Sequence, residues 1–170
     1  MIEIRCFHDL SEAQSFRDAM NTLNLVCARP DPFSTFEFYE NYLRNAELFS
    51  ADGSARLWLL LAFSEDRLVG YLALKQRVHR VLGLRAVKLD LLSDFVADRP
   101  HLVARSEHEK PVSVAIYAYL LSRKKEWSLV EFQQQDAASP LLPPPAQAAS
   151  GICQFQQWPN PPNGTIPIRW

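Results

Sequence analysis

Glycine is scarce in this chain, with five residues in 170 and none between Gly83 and Gly151. Bare backbone amides at a strand-to-helix turn are what grip a phosphate or diphosphate, and glycine is what lets the ligand come close. The long stretch between those two glycines therefore excludes a glycine-rich phosphate loop. Cysteine is equally thin. Cys6, Cys27 and Cys153 are odd in number and widely spaced, which excludes a disulfide framework and any CxxC metal or redox pair. They are expected to be reduced thiols, buried or idle, in a cytoplasmic protein. No apolar run approaches membrane length: the longest, Leu57 to Phe63, is far too short, and the opening MIEIRCFHDL has no cationic segment followed by an apolar one. A formal net charge of −1 leaves no overall field toward nucleic acid or anionic lipid, so neither is an expected partner.

What is present is a globular composition. Apolar residues make up 48% and charged residues 22%, enough to build one core in a chain of this length. The organising stretch runs from Ala55 to Leu92. Its three apolar runs, ARLWLLLAFS, LVGYLALKQRV and RAVKLDLL, are joined by links too short for crossover helices. Only antiparallel neighbours connect so tightly, so these runs predict a meander. Leu57 to Phe63 is apolar throughout, as in a strand covered on both faces and central in its sheet. Gly70 marks a bulge or a close approach of backbones. From Arg85 on, Val87, Leu89 and Leu91 face one way, Lys88 and Asp90 the other.

Around the meander the chain reads as follows. Ile2 to Phe7 predicts a short, partly exposed strand. A first helix starts from a cap at Asp9 or Ser11, with Phe16, Ala19, Met20 and Leu23 on its inner face, and ends before Pro30 and Pro32. Ser34 and Glu37 form a capping-box pattern opening a second helix, with Phe36, Tyr39, Leu43 and Ala46 inward. Residues 93–110 are a polar loop. Val112, Ala115, Ile116, Tyr119 and Leu120 then mark an amphipathic helix, and Ser128 to Gln133 a strand. Eight of the twelve prolines fall from Pro140 onward, so residues 1–136 form the main lobe and 137–170 a proline-rich connector with C-terminal strands packed on it.

The order β-α-α-β-β-β-α-β resembles the first two-thirds of the GNAT acyltransferase fold, an α/β (α+β) architecture with a mostly antiparallel, mixed central sheet flanked by helices. Pro32-Phe33-Ser34 before an aromatic-rich helix, Leu68-Val69-Gly70-Tyr71-Leu72-Ala73-Leu74, Leu92-Ser93-Asp94-Phe95, and Trp127 followed by Asp136 and Ser139-Pro140 are similar to strings of the CelD-like, Fem-type branch. That resemblance implies an N-acyltransferase lobe of cell-envelope or polysaccharide metabolism, moving an acyl or aminoacyl group onto a small-molecule amine and incomplete without a second GNAT-like lobe. An R/Q-x-x-G-x-G/A loop follows the fourth strand in members that use acyl-CoA, and the missing glycines imply no cofactor in this lobe. An acyl-CoA or aminoacyl donor belongs to a complete two-lobed protein. The proline run also replaces much of the helix that often supplies a tyrosine acid.

The resemblance makes Asp90 the candidate general base, against a solvated strand carboxylate, and Ser93, Asp94 and Phe95 candidate substrate-binding residues, against a cap or turn. Arg80-Val81-Leu82-Gly83-Leu84-Arg85 imitates the loop motif but lies between two strands, as a hairpin turn does. Lys75, Arg77, His79, Arg80, Arg85 and Lys88 make a basic hairpin end, read as solvated or, as the sharper alternative, as a seat for a phosphate-bearing ligand or RNA. The four histidines show no metal spacing. The alternative is a non-catalytic interaction module that has lost its acyl-CoA loop and binds a protein partner through the proline-rich tail with Trp158 and Trp170.

Overall fold

Tight links dictate the centre of the molecule. In the computed structural model, which describes residues 1–45, 55–81, 83–92, 100–135 and 137–142, the meander forms as expected. Strands β2 (Ala55–Ser64), β3 (Arg67–Val81) and β4 (Leu84–Leu91) run antiparallel in sequence order. Glu65 and Asp66 turn β2 into β3 with φ of 51° and 62°, the positive values that a two-residue hairpin turn requires. Gly83, at φ 80°, sits in the turn between β3 and β4, so the segment that imitated a phosphate loop is a hairpin.

Strand β1 (Ile2–Phe7) pairs antiparallel with the free side of β2. This makes β2 interior, and its residues from Leu57 to Phe63 are all buried. Their continuous apolarity follows from two cores on opposite faces. Leu57, Leu59, Leu61 and Phe63 face one side together with Tyr71, Ala73, Met20, Leu23, Phe36 and Tyr39, beneath α1 (Arg17–Val26) and α2 (Phe36–Asn45). Trp58, Leu60 and Ala62 face the other with Leu72, Leu74, Leu89, Val112, Ile116 and Leu120, beneath α3 (Glu109–Ser122). Two further strands join the sheet among the described residues, and the expected C-terminal strands lie outside them. The two-residue β5 (Val103–Ala104) pairs with β3, and β6 (Leu129–Glu131) pairs parallel with β4, giving the order β1-β2-β3-β4-β6.

Two local readings need correction. The first helix opens as a tight 3-10 turn, Leu10–Phe16, capped by Asp9 on the Ser11 amide, which rotates the later face so that Ala13 is buried and Ala19 exposed. The cap of α2 is Thr35, whose hydroxyl accepts from the Phe38 amide at 3.2 Å. Ser34 instead donates to Asp31, and Glu37 accepts from Arg17 and Asn21 of α1, clasping the two helices. Ala46 lies outside the described residues.

Gly70 is both of the things expected of it. The β2–β3 register shifts between Ala62 and Phe63, opposite Gly70, and a Cβ there would lie 2.9 Å from Cγ1 of Val112 and 3.2 Å from Cβ of Ala104. Gly70→Ala is therefore expected to push α3 off the sheet and cost about 1–3 kcal/mol, read as a lower urea midpoint; an unchanged midpoint would show that the helix yields without loss. The start of the proline-rich segment joins this layer: Leu141 is fully buried, and its carbonyl accepts from the Tyr117 hydroxyl at 2.7 Å. Among the described residues no helix is long and apolar enough to cross a membrane.

Candidate functional site

The only parallel pairing among the described residues is also short, three residue pairs long. β4 and β6 match Lys88 with Leu129, Leu89 with Val130 and Asp90 with Glu131, and there the ladder stops. β4 keeps to β3 for one more step, the Leu92 amide donating to Ala73 at 2.9 Å. β5 then resumes the same edge of β3. Leu74 pairs with Leu91 and Tyr71 with Val103, so three residues along β3 face twelve along the other side, nine of them extra. The two parallel strands thus stop pairing beyond Asp90 and Glu131, where β6 ends, and the carboxyl ends of parallel strands are where sheets with such pairs take ligands.

Alternation places Lys75 and Arg77 of β3, Lys88 and Asp90 of β4, and Glu131 of β6 on the face beneath α1 and α2. Asp90 is 5% exposed. Its Oδ2 accepts from Nη2 of Arg77 at 2.5 Å and lies 3.3 Å from Nζ of Lys88, which also pairs with Glu131. Lys75, 3% exposed, points Nζ at the Tyr42 hydroxyl of α2, 3.5 Å away. Buried charges persist only when paired, and this seam is their meeting place. Two buried atoms in it have no hydrogen-bond partner: Oδ1 of Asp90 and Nε of Arg77.

Burial works to raise the pKa of the Glu131 carboxyl, but hydrogen bonds from Lys88 and Gln133 and the charges of Lys88 and Arg77 outweigh it, holding the group below the usual carboxylate range. A carboxyl that is more acidic folded than unfolded contributes stability above the unfolded value and loses it as the pH falls through the folded one. Acid unfolding followed by circular dichroism is expected to steepen below about pH 4, and Glu131→Gln to flatten that slope; an identical slope in the variant would remove Glu131 from the account.

Asp90 is the sequence-derived site residue that the structure describes, and it is neither solvated nor free-standing but buried in an ion-paired seam. Ser93, Asp94 and Phe95 lie outside the described residues, in the interval between Leu92 and Val103. The basic hairpin end divides. Lys75, Arg77 and Lys88 turn inward to the seam, whereas Arg80 and Arg85 stand opposite one another, exposed, near the tip. Glu131 carried no sequence signal, because its partnership with Lys88 depends on a parallel register between segments some forty residues apart.

A diphosphate-bearing acyl donor can be tested against the chain at the start of α3. Arg105-Ser106-Glu107-His108-Glu109-Lys110 leads into that helix, with His108 and Lys110 at the spacing where the R/Q-x-x-G-x-G/A loop has glycine. The His108 amide is already spent on the Arg105 carbonyl at 2.8 Å, Pro111 has no amide to offer, and Glu109 places a carboxylate in the first turn. With one amide spent, another missing, side chains at both glycine positions and a carboxylate in the first turn, these residues do not fit the diphosphate of coenzyme A.

The architecture defines a class: a mixed, mostly antiparallel sheet between α1/α2 and α3, with one parallel pair, is the GNAT acetyltransferase fold. Among solved structures the chain is similar to a ribosomal-protein-alanine N-acetyltransferase from Brucella melitensis biovar Abortus 2308, at 17% identity and a TM-score of 0.50 over 95% of this chain and 99% of that one. It is also similar to a transcriptional regulator from Bacillus halodurans C-125, at 9% identity and a TM-score of 0.51 over 94% and 99% of the two chains. An integron cassette protein from V. cholerae matches at 11% identity and a TM-score of 0.50 over 95% and 93%. No protein-family model and no curated protein sequence matches the chain.

Proposed function

We propose that this chain is the acceptor-binding lobe of an N-acyltransferase, holding a small amine at the seam where β4 and β6 stop pairing. The observation that carries the reading is Asp90, a deeply buried carboxylate at the end of a parallel pairing, with Oδ1 unclaimed. A buried acceptor without a partner costs about 1–3 kcal/mol, a cost that an incoming N–H would remove. As the amine nitrogen bonds to the acyl carbon it becomes acidic, and its proton passes to Oδ1 while the leaving group departs with the electron pair of its bond. Arg77 and Lys88, by holding Oδ2, aim the other oxygen.

The unsuitability of the α3 turn for a diphosphate favours a donor held elsewhere, on a second lobe or a partner. This agrees with the two-lobed, CelD-like and Fem-type acyltransferases of cell-envelope or polysaccharide metabolism that the sequence resembles, in which Ser93, Asp94 and Phe95 would line the acceptor groove. The same turn equally favours the non-catalytic module. Two measurements separate them. Incubating the full chain with small amines and either acetyl-coenzyme A or aminoacyl esters, with mass spectrometry for the amide, reads transfer; amine-induced thermal stabilisation of wild type against Asp90→Asn reads acceptor binding. Stabilisation that Asp90→Asn abolishes supports the reading. Neither amide formation nor stabilisation would leave the interaction module in its place.

A further inference from the structure

We infer that the seam selects amines that carry an oxygen acceptor on the neighbouring carbon, and that Arg77 is the residue that selects them. The inference rests on the reading just given for Asp90 and adds the chemical class of the acceptor. A guanidinium and a carboxylate facing each other can close two parallel hydrogen bonds, Nη to one oxygen and Nε to the other. Here one is made, Nη2 to Oδ2 at 2.5 Å. The second is left open: Nε of Arg77 and Oδ1 of Asp90 are both buried, and neither has a partner. Lys88, 3.3 Å from the same Oδ2, draws the carboxylate toward its own side and competes with the fork.

The result is one buried donor and one buried acceptor, each without a partner, on the two members of a single ion pair. A ligand that satisfies both must donate from one atom and accept at another a short step away. A plain alkylamine satisfies Oδ1 and leaves Nε buried and unmet. A diamine brings a second donor to Nε and is repelled by the guanidinium. An amine with a carbonyl or hydroxyl oxygen on the adjacent carbon meets both atoms, whether that oxygen comes from the end of an amino acid or from an amino alcohol such as an amino sugar. Sites built to hydrogen-bond a substrate group reject analogues that lack it, because the protein's own buried partner is then unpaired.

The test is equilibrium binding to the full chain, without any acyl donor, of four probes: alaninamide, ethanolamine, propylamine and putrescine. Titration calorimetry of wild type is expected to show alaninamide or ethanolamine binding at least about tenfold more tightly than propylamine, with putrescine weakest; the first two probes tell the carbonyl source from the hydroxyl one. Arg77→Lys keeps a cation on Asp90 but has no Nε, and is expected to erase the preference, so that the four probes bind with affinities in no fixed order of oxygen content. Arg77→Gln, which retains a donor without the charge, replaces it if the lysine variant fails to fold. Equal affinities in wild type, no measurable binding of any probe, or a preference that survives in the substituted chain each overturn the inference. Transfer is read separately. An acyl-transfer assay that succeeds without any preference among these amines removes the inference and leaves the transferase reading standing, and a clear preference with no transfer does the reverse.

Discussion

Asp90→Ala is expected to cost about 3 kcal/mol of stability, together with the loss of amine binding. The carboxylate is the shared counter-charge of Arg77 and Lys88, and removing it leaves two cations facing each other across β3 and β4, where Arg77 and Lys88 are register partners. Both keep some contact with solvent, and Lys88 retains Glu131, which places the cost at the lower end for a broken buried pair. The measurement is urea denaturation, with the midpoint falling and the slope unchanged. A double-mutant cycle with Arg77→Ala tests the coupling: the combined loss is expected to be smaller than the sum of the single losses by about 1 kcal/mol or more. Strict additivity would show that the two side chains do not act as a pair. Asp90→Asn, which keeps the shape and an acceptor oxygen, is expected to unfold later than the alanine variant yet bind amines no better, separating the charge from the packing.

The second large effect is expected at Trp58. Its indole is 1% exposed on the α3 side of β2 and is packed with Leu60, Leu74 and Leu89. The ring also organises its edge: Nε1 donates to Gln76 at 3.4 Å, Gln76 in turn donates to the Glu126 carbonyl at 2.9 Å, and the His8 ring stands edge-on 5.4 Å away. Trp58→Ala is expected to cost about 3–5 kcal/mol through a large cavity at the middle of the sheet, and Trp58→Phe distinctly less. Guanidinium denaturation checks both. A loss below 1 kcal/mol for the alanine variant would mean that the two cores do not share β2 as their common wall.

How much of this was legible beforehand varies with the range of the interaction. The meander was readable because its links are short, and short links admit one pairing; the same held for the hairpin at Gly83 and for the two-sided burial of Leu57 to Phe63. Helix starts were less so. Ser34 and Glu37 have the spacing of a reciprocal cap, yet Thr35 takes the cap because Arg17 and Asn21, 20 and 16 residues back on the preceding helix, offer Glu37 a better partner. Asp90 could be singled out from its place on the polar side of β4, but its environment could not. Whether that polar side meets water or a covering layer depends on α2, on β6 and on the charges of a neighbouring strand.

The amino-acid order by itself determined the pattern of strands and helices, the central place of β2, and the shortage of glycine that deprives the α3 turn of a phosphate grip, because each of these follows from periodicity, link length and the absence of a side-chain type. Tertiary structure alone decided that Lys75, Arg77, Lys88, Asp90 and Glu131 meet in one buried seam. The β3–β4 hairpin supplies four of them and β6, some forty residues on, the fifth; only the parallel register of β4 on β6 and the cover of α1 and α2 turn that hairpin's polar face into an ion-paired layer.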